Sequence, residues 1–86
     1  MRTRDEVRDH VRRMIEEVSL GRVRAADVRS DSRLLDDLGL DSLDYATVLL
    51  ATERWLGVRI AERDVDWRAM ATVDQIAALL LRRDGR

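Results

Sequence analysis

Apolar residues recur at helical spacing in three separate parts of the chain and never alternate long enough to build a sheet. Behind Thr3-Arg4-Asp5-Glu6, the positions Val7, Val11, Met14, Ile15 and Val18 step by three and four, the stripe of an amphipathic helix. The four residues before that stripe form a capping box, in which a Thr hydroxyl and a Glu carboxylate each satisfy an exposed backbone donor. Gly21 is placed to end this helix. From Ser19 to about Ser32 the periodicity lapses, with Val23 and Val28 left to dock a long loop. Leu34-Leu35-Asp36-Asp37-Leu38-Gly39-Leu40 reads as a compact, partly apolar loop turning at Gly39. Asp41 or Ser42 then caps a second helix to about Leu56, with Leu43, Ala46, Leu49, Leu50 and Leu56 as its apolar side and Gly57 as its stop. Val58 and Ile60 are too short a run for a sheet. A weak, charged helix is expected over roughly Arg63 to Met70. Thr72-Val73-Asp74-Gln75 is another capping box, opening a helix through about Arg82 with Val73, Ile76, Ala77, Leu80 and Leu81 inward. Gly85 and Arg86 end the chain. The pattern predicts an all-α fold, a small four-helix bundle of three main helices and a short third one, in a single domain over residues 1–86.

Composition narrows the chemistry. Among 86 residues there is no Cys, no Pro and no Phe, and only one His. A disulfide scaffold, a thiol nucleophile and a cysteine or histidine metal site are therefore excluded. Trp55, Trp67 and Tyr45 are the aromatics, so aliphatic residues fill the core. The sixteen basic residues are all Arg, set against seventeen acids for a net charge of −1. That balance argues against a general nucleic-acid binder, which carries a basic excess. No apolar run approaches a membrane span and the N-terminus shows no signal-peptide core, so no membrane partner and a cytoplasmic location are expected. Neither a catalytic residue nor a metal site is expected.

One corner concentrates the remaining chemistry. Asp31 to Asp44 holds five Asp against one Arg, a local charge of −4 in an otherwise balanced chain. Within it, Ser42 follows a Gly-containing turn at the start of a helix. Unpaired amide donors and the positive end of the helix dipole tolerate a phosphate on a hydroxyl placed there. As a bare dipeptide, Asp41-Ser42 is most simply a helix cap.

The longer string says more. Leu38-Gly39-Leu40-Asp41-Ser42-Leu43-Asp44, followed by an apolar helix and Glu53, resembles the acyl carrier protein signature, and the order of elements follows that family over nearly the whole chain, as a free-standing carrier. The resemblance implies that Ser42, with Asp41 beside it, is the attachment point for 4′-phosphopantetheine, moved from coenzyme A by a phosphopantetheinyl transferase. The arm's thiol then supplies the sulfur that the chain lacks. The second helix is implied as the partner surface, at Leu43, Asp44, Ala46, Thr47, Leu50, Glu53 and Arg54. Thr47 and Arg54 stand where acids are frequent in the family. That dilution points to dedicated acyltransferase, ligase or synthase partners in polyketide or other secondary-metabolite biosynthesis. Ala61 also departs, since a Pro often opens the third helix, and the Asp66-Trp67 region carries extra residues. A monomer is implied.

Other residues receive plainer expectations. Trp55 is either a partner contact or packing on the helix flank. Trp67 plugs the third-helix region, Tyr45 covers the loop, and His10 is an ordinary helix-surface residue. Arg2, Arg4, Arg8, Arg12 and Arg13 alternate with Asp5, Glu6, Asp9, Glu16 and Glu17 as a solvated face. An aminoacyl or peptidyl carrier is the nearer alternative, although Asp41 before the Ser leans towards the acyl type. From another class, a helical adaptor or DNA-binding domain would use Arg22, Arg24, Arg29 and Arg33 on phosphates.

Overall fold

The computed structural model describes residues 2–59 and 71–84, with side chains through Arg82. Among the described residues there are three α-helices, α1 (Arg4–Val18), α2 (Ser42–Leu56) and α3 (Val73–Asp84), and one 3-10 turn, at Ala25–Asp27 between α1 and α2. No strand forms among the described residues, only an isolated antiparallel bridge between Arg33 and Thr72. The expected short helix over roughly Arg63 to Met70 lies outside the described residues, as do Ile60, Ala61, Asp66, Trp67, Gly85 and Arg86.

α1 begins as its cap predicts. The Glu6 amide donates to the Thr3 hydroxyl at 3.1 Å, and the Thr3 amide donates to the Glu6 carboxylate at 3.0 Å. The Thr3 amide, and after it the Thr3 hydroxyl, hold the Glu6 carboxyl below its ordinary range. Val7, Val11 and Ile15 are fully buried at four-residue steps, and α1 lies against both other helices. It stops at Val18, before Gly21, because Leu20 takes a left-handed conformation at φ 55 ahead of Gly21 at φ 81.

The alternating charges of α1 are not merely a solvated face. Arg8 donates from Nε to Asp74 of α3 at 3.0 Å, and Arg12 donates to the Val28 carbonyl at 3.0 Å and the Ser30 hydroxyl at 3.1 Å. Their long stems cover apolar surface while their heads fasten other elements. The loop from Ser19 to Ser32 is thereby tied down, with Val28 buried and Val23 packed against the core as expected.

Of the predicted apolar side of α2, Leu49 is buried and Leu56 packs against the core as expected, but the helix is rotated away from the other three positions. Tyr45, Val48, Leu49 and Thr52 face inward, whereas Leu43 and Leu50 are 73% and 49% exposed and Ala46 is exposed. Tyr45 is a core residue and not a loop cover. Thr52 is buried at no polar cost because its hydroxyl donates to the Val48 carbonyl at 2.9 Å. Gly57 ends the helix in the left-handed region at φ 74, as its sequence position predicts.

His10 also departs from expectation. It is only 8% exposed and stacks on Trp55 with ring centroids 4.2 Å apart and planes 5° from parallel. The Arg2 guanidinium lies over the same indole, 4.4 Å from the ring. Trp55 thus serves the fold, closing the flank between α1 and α2. Burial is the main cause that holds the His10 imidazole below its ordinary pKa, so the neutral ring is the form that packs.

α3 opens on its predicted box. The Gln75 amide donates to the Thr72 hydroxyl, and the Thr72 amide donates to the Gln75 side chain, both at 3.1 Å. Val73, Ile76, Ala77 and Leu80 are fully buried, and Leu81 packs at the margin.

Candidate functional site

The acidic corner is built by a loop with a buried base and a solvent-facing apex. Leu34 is fully buried and its amide bonds the Ala71 carbonyl at 2.9 Å, while the Leu40 amide returns to the Leu34 carbonyl at 3.1 Å. Between these anchors the chain swings outward through Leu35, Asp36 and Asp37, turning at Gly39 with φ 69. Only a residue without a Cβ adopts that conformation freely.

Asp41 then caps α2. Its carboxylate accepts from the Asp44 amide at 2.8 Å, and the Asp44 carboxylate accepts from the Asp41 amide at 3.4 Å. This is a reciprocal box closed by a shorter acid than the usual Glu or Gln. Asp41 is the cap and Ser42 the first helical residue, which settles the alternative left by the sequence. Ser42 and Leu43 are exposed side by side. Among the described residues the Ser42 hydroxyl takes no hydrogen-bond partner.

Charge around the serine is uneven. Asp36, Asp37 and Asp41 are exposed and Asp44 is half-buried. Asp37 is held below the ordinary carboxylate range, first by the Arg33 amide that donates to it at 2.9 Å and then by the Arg33 guanidinium. The Arg33 guanidinium is raised in turn, first by its side-chain bond to Asp37, and it also pairs with Asp36. Asp41 and Asp44 are engaged in the box, so their charge strengthens the helix start while remaining close to the serine.

The implied partner positions divide into two groups. Leu43, Ala46, Thr47, Leu50 and Arg54 share the exposed face of α2, while Asp44 and Glu53 sit half-buried at its edge. The Thr47 hydroxyl donates to the Leu43 carbonyl at 2.9 Å, so its polar group is already used within the helix. The face that runs away from Ser42 is therefore mostly apolar and ends in a cation.

One residue near the corner carries no signal for this role in the sequence. Arg22 donates from Nη1 to the Leu38 carbonyl at 3.3 Å and from Nη2 to the Gly39 carbonyl at 3.5 Å. It lies 16 and 17 residues earlier, so no local motif joins it to the loop. Arg33 and Arg29, also named as phosphate contacts in a DNA-binding reading, are paired with Asp36, Asp37 and Asp31.

The residues fit a phosphate-linked arm. An exposed hydroxyl without a partner is available to a reaction, and it stands at the end of a helix where anionic groups are stabilised. Among the described residues no group of three His, Cys, Asp or Glu is placed to hold a metal ion. No described helix is long and apolar enough to cross a membrane.

Comparison with known proteins is consistent with this geometry. Residues 9–80 match a family described as the phosphopantetheine attachment site. An acyl carrier protein of Thermotoga maritima is 32% identical over 85 residues, covering 99% of this chain and 100% of the relative. An acyl carrier protein of Solidesulfovibrio magneticus is 45% identical over 42 residues, 49% of this chain and 54% of the relative. The acyl carrier protein MbtL of Mycobacterium tuberculosis is 45% identical over 38 residues, 44% of this chain and 45% of the relative. With these last two the match spans about half of each protein, and it spans the whole length of the Thermotoga protein.

Proposed function

Since this chain belongs to the acyl carrier protein family, whose members are loaded with phosphopantetheine, we propose that Ser42 is its attachment residue and that it carries acyl groups between partner enzymes. The observation that carries this reading is the exposed Ser42 hydroxyl at the head of α2, unpartnered and framed by the Asp41–Asp44 box. A phosphopantetheinyl transferase joins the Ser42 oxygen to the pantetheine-side phosphorus of coenzyme A as the pyrophosphate bond breaks. Adenosine 3′,5′-bisphosphate departs with the bond's electron pair, and the hydroxyl proton leaves to that enzyme. The attached arm supplies the thiol on which an acyl group is held as a thioester.

The chain's own residues do the holding. The Asp41 cap keeps the serine at the first helical position, outside the core. Leu34 and Leu40 anchor the loop so that the serine stands on a fixed corner. The acidic residues there steer enzymes that present Arg or Lys. Catalysis belongs to those enzymes, and tethering supplies them with a high local concentration of cargo. The exposed Thr47 and Arg54 on α2, standing where acids are frequent in the family, support dedicated partners in a secondary-metabolite pathway.

Intact mass measured after incubation with coenzyme A, magnesium and a broad-specificity transferase tests the attachment. The chain is expected to gain the mass of one phosphopantetheine, and Ser42→Ala is expected to gain none. An adduct that persists on Ser42→Ala, or a wild-type chain left unmodified, overturns the reading.

A further inference from the structure

The loop that delivers Ser42 is fastened at its apex from outside its own segment. Its base is secured by Leu34 and Leu40, both buried. At the apex Leu38 is half-buried against the core with its amide on the Arg33 carbonyl at 3.1 Å, which leaves the Leu38 and Gly39 carbonyls to be held from elsewhere. There the Arg22 guanidinium bonds both carbonyls, and a Cβ placed on Gly39 would stand 3.6 Å from Arg22 Nη1. The guanidinium thus packs over the one residue whose left-handed conformation sets the direction of the turn.

A second feature explains how Arg22 reaches that point. The chain leaves α1 through Leu20 and Gly21, both left-handed, and Leu20 is 94% exposed. A leucine in that region carries backbone strain that a Gly or Asn would avoid, and it gains no burial in return. The knuckle is nevertheless closely held. The amides of Leu20, Gly21 and Arg22 donate to the carbonyls of Glu17, Glu16 and Ser19 at 3.1, 2.9 and 3.1 Å. The Ser19 hydroxyl accepts from the Val23 amide at 3.0 Å. A strained but rigid knuckle therefore delivers Arg22 to the apex.

Resting on the reading of Ser42 as the attachment point, we propose that Arg22 is a positioning residue for attachment of the arm. By clamping the Leu38 and Gly39 carbonyls it fixes the turn three residues before Ser42, and with it the angle from which the serine oxygen meets phosphorus. In-line transfer is sensitive to displacements of about an ångström, which cost up to about 100-fold in rate.

Steady-state kinetics of arm transfer, with a broad-specificity transferase and coenzyme A, test the proposal on Arg22→Met. The expected result is a fall of about tenfold in kcat with KM nearly unchanged, partial recovery in Arg22→Lys, and faster hydrogen exchange at the Leu40 amide. A wild-type kcat in Arg22→Met overturns the proposal. So does a loss confined to KM that disappears with added salt, because Arg22 would then be a charge contacting the enzyme. Circular dichroism establishes that each variant is helical. If Arg22→Met is not, Arg22→Lys decides alone: a reduced kcat supports the clamp, and a wild-type kcat overturns it. A wild-type chain that takes no adduct overturns the Ser42 reading and this proposal together, whereas an unaltered kcat in the variant overturns this proposal alone.

Discussion

The N-termini of α2 and α3 are built by the same local device and put to opposite uses. Each is closed by a reciprocal capping box, Asp41 with Asp44 in one and Thr72 with Gln75 in the other. At the first helical position after the cap, α3 has Val73, fully buried, and α2 has Ser42, exposed. The α3 corner is further held by Arg8 on Asp74 and by the Asp74 amide on the Ser30 carbonyl at 2.9 Å. Among the described residues the Ser42 side chain at the α2 corner takes no such tie, and the nearest holds are the Leu40 amide on the Leu34 carbonyl and the Arg22 contact at the preceding turn. Capping therefore starts a helix, and the surrounding tertiary contacts decide whether that start becomes a core anchor or a reactive corner.

Placing the same charge at both positions should separate them most widely. Val73→Asp would bury a carboxylate with no partner, a cost of several kcal/mol. For a chain of this length that is a large share of a total stability of about 5–15 kcal/mol. The expected outcome is a chain largely unfolded by circular dichroism at 37 °C. Ser42→Asp adds an acid to the first turn of an exposed helix, so its melting temperature should stay within a few degrees of wild type. If the two variants melt alike, the contrast between the corners is wrong.

Removing the caps has a smaller effect and tests whether tertiary ties matter. Asp41→Ala and Thr72→Ala should each cost about 1 kcal/mol, or roughly 4–8 °C in melting temperature. Their local consequences should differ. In Asp41→Ala the amides of Leu43 and Asp44 should exchange faster, because the Asp41 carboxylate is the group that the Asp44 amide bonds. In Thr72→Ala the Asp74 amide should remain protected through its bond to Ser30. Equal fraying at both helices would show that the ties to α3 contribute little.

These contrasts also show which features the sequence could reveal. The caps at Thr3 and Thr72 and the stop at Gly57 were legible because each rests on residues a few positions apart. The corner around Ser42 was legible for the same reason, the turn at Gly39 and the cap at Asp41 being local. The inward face of α2 was not. Leu43, Tyr45, Ala46, Val48, Leu49 and Leu50 give that helix an apolar surface nearly all the way round, so periodicity alone does not set its rotation. Packing against α1 and α3 chose Tyr45, Val48 and Leu49 and left Leu43 and Leu50 outside. His10 and Arg22 were obscured by distance: the first is buried by Trp55 on another helix, and the second acts on carbonyls beyond the 3-10 turn.

The smallest difference between the corners should appear in acid. Arg8 holds the Asp74 carboxyl below its ordinary value of 3.8, mainly through their side-chain hydrogen bond. Asp41 makes no ion pair among the described residues. Between the folded and unfolded pKa values of Asp74 the unfolded chain binds more protons, so acid favours unfolding there. The contribution of Asp74 is therefore complete above the unfolded value near 3.8 and fades as pH falls through the lower folded value. Because both side chains meet solvent, the effect is small. Asp74→Asn should melt slightly below wild type at pH 7, and the gap should close as the pH falls below the ordinary carboxylate range. His10, held below its ordinary 6.5 by burial, weakens the fold from higher pH downward. It does so equally in wild type and variant and cancels in their difference. A gap that stays constant from neutral pH into acid would mean that the Arg8–Asp74 pair does not distinguish the anchored corner from the reactive one.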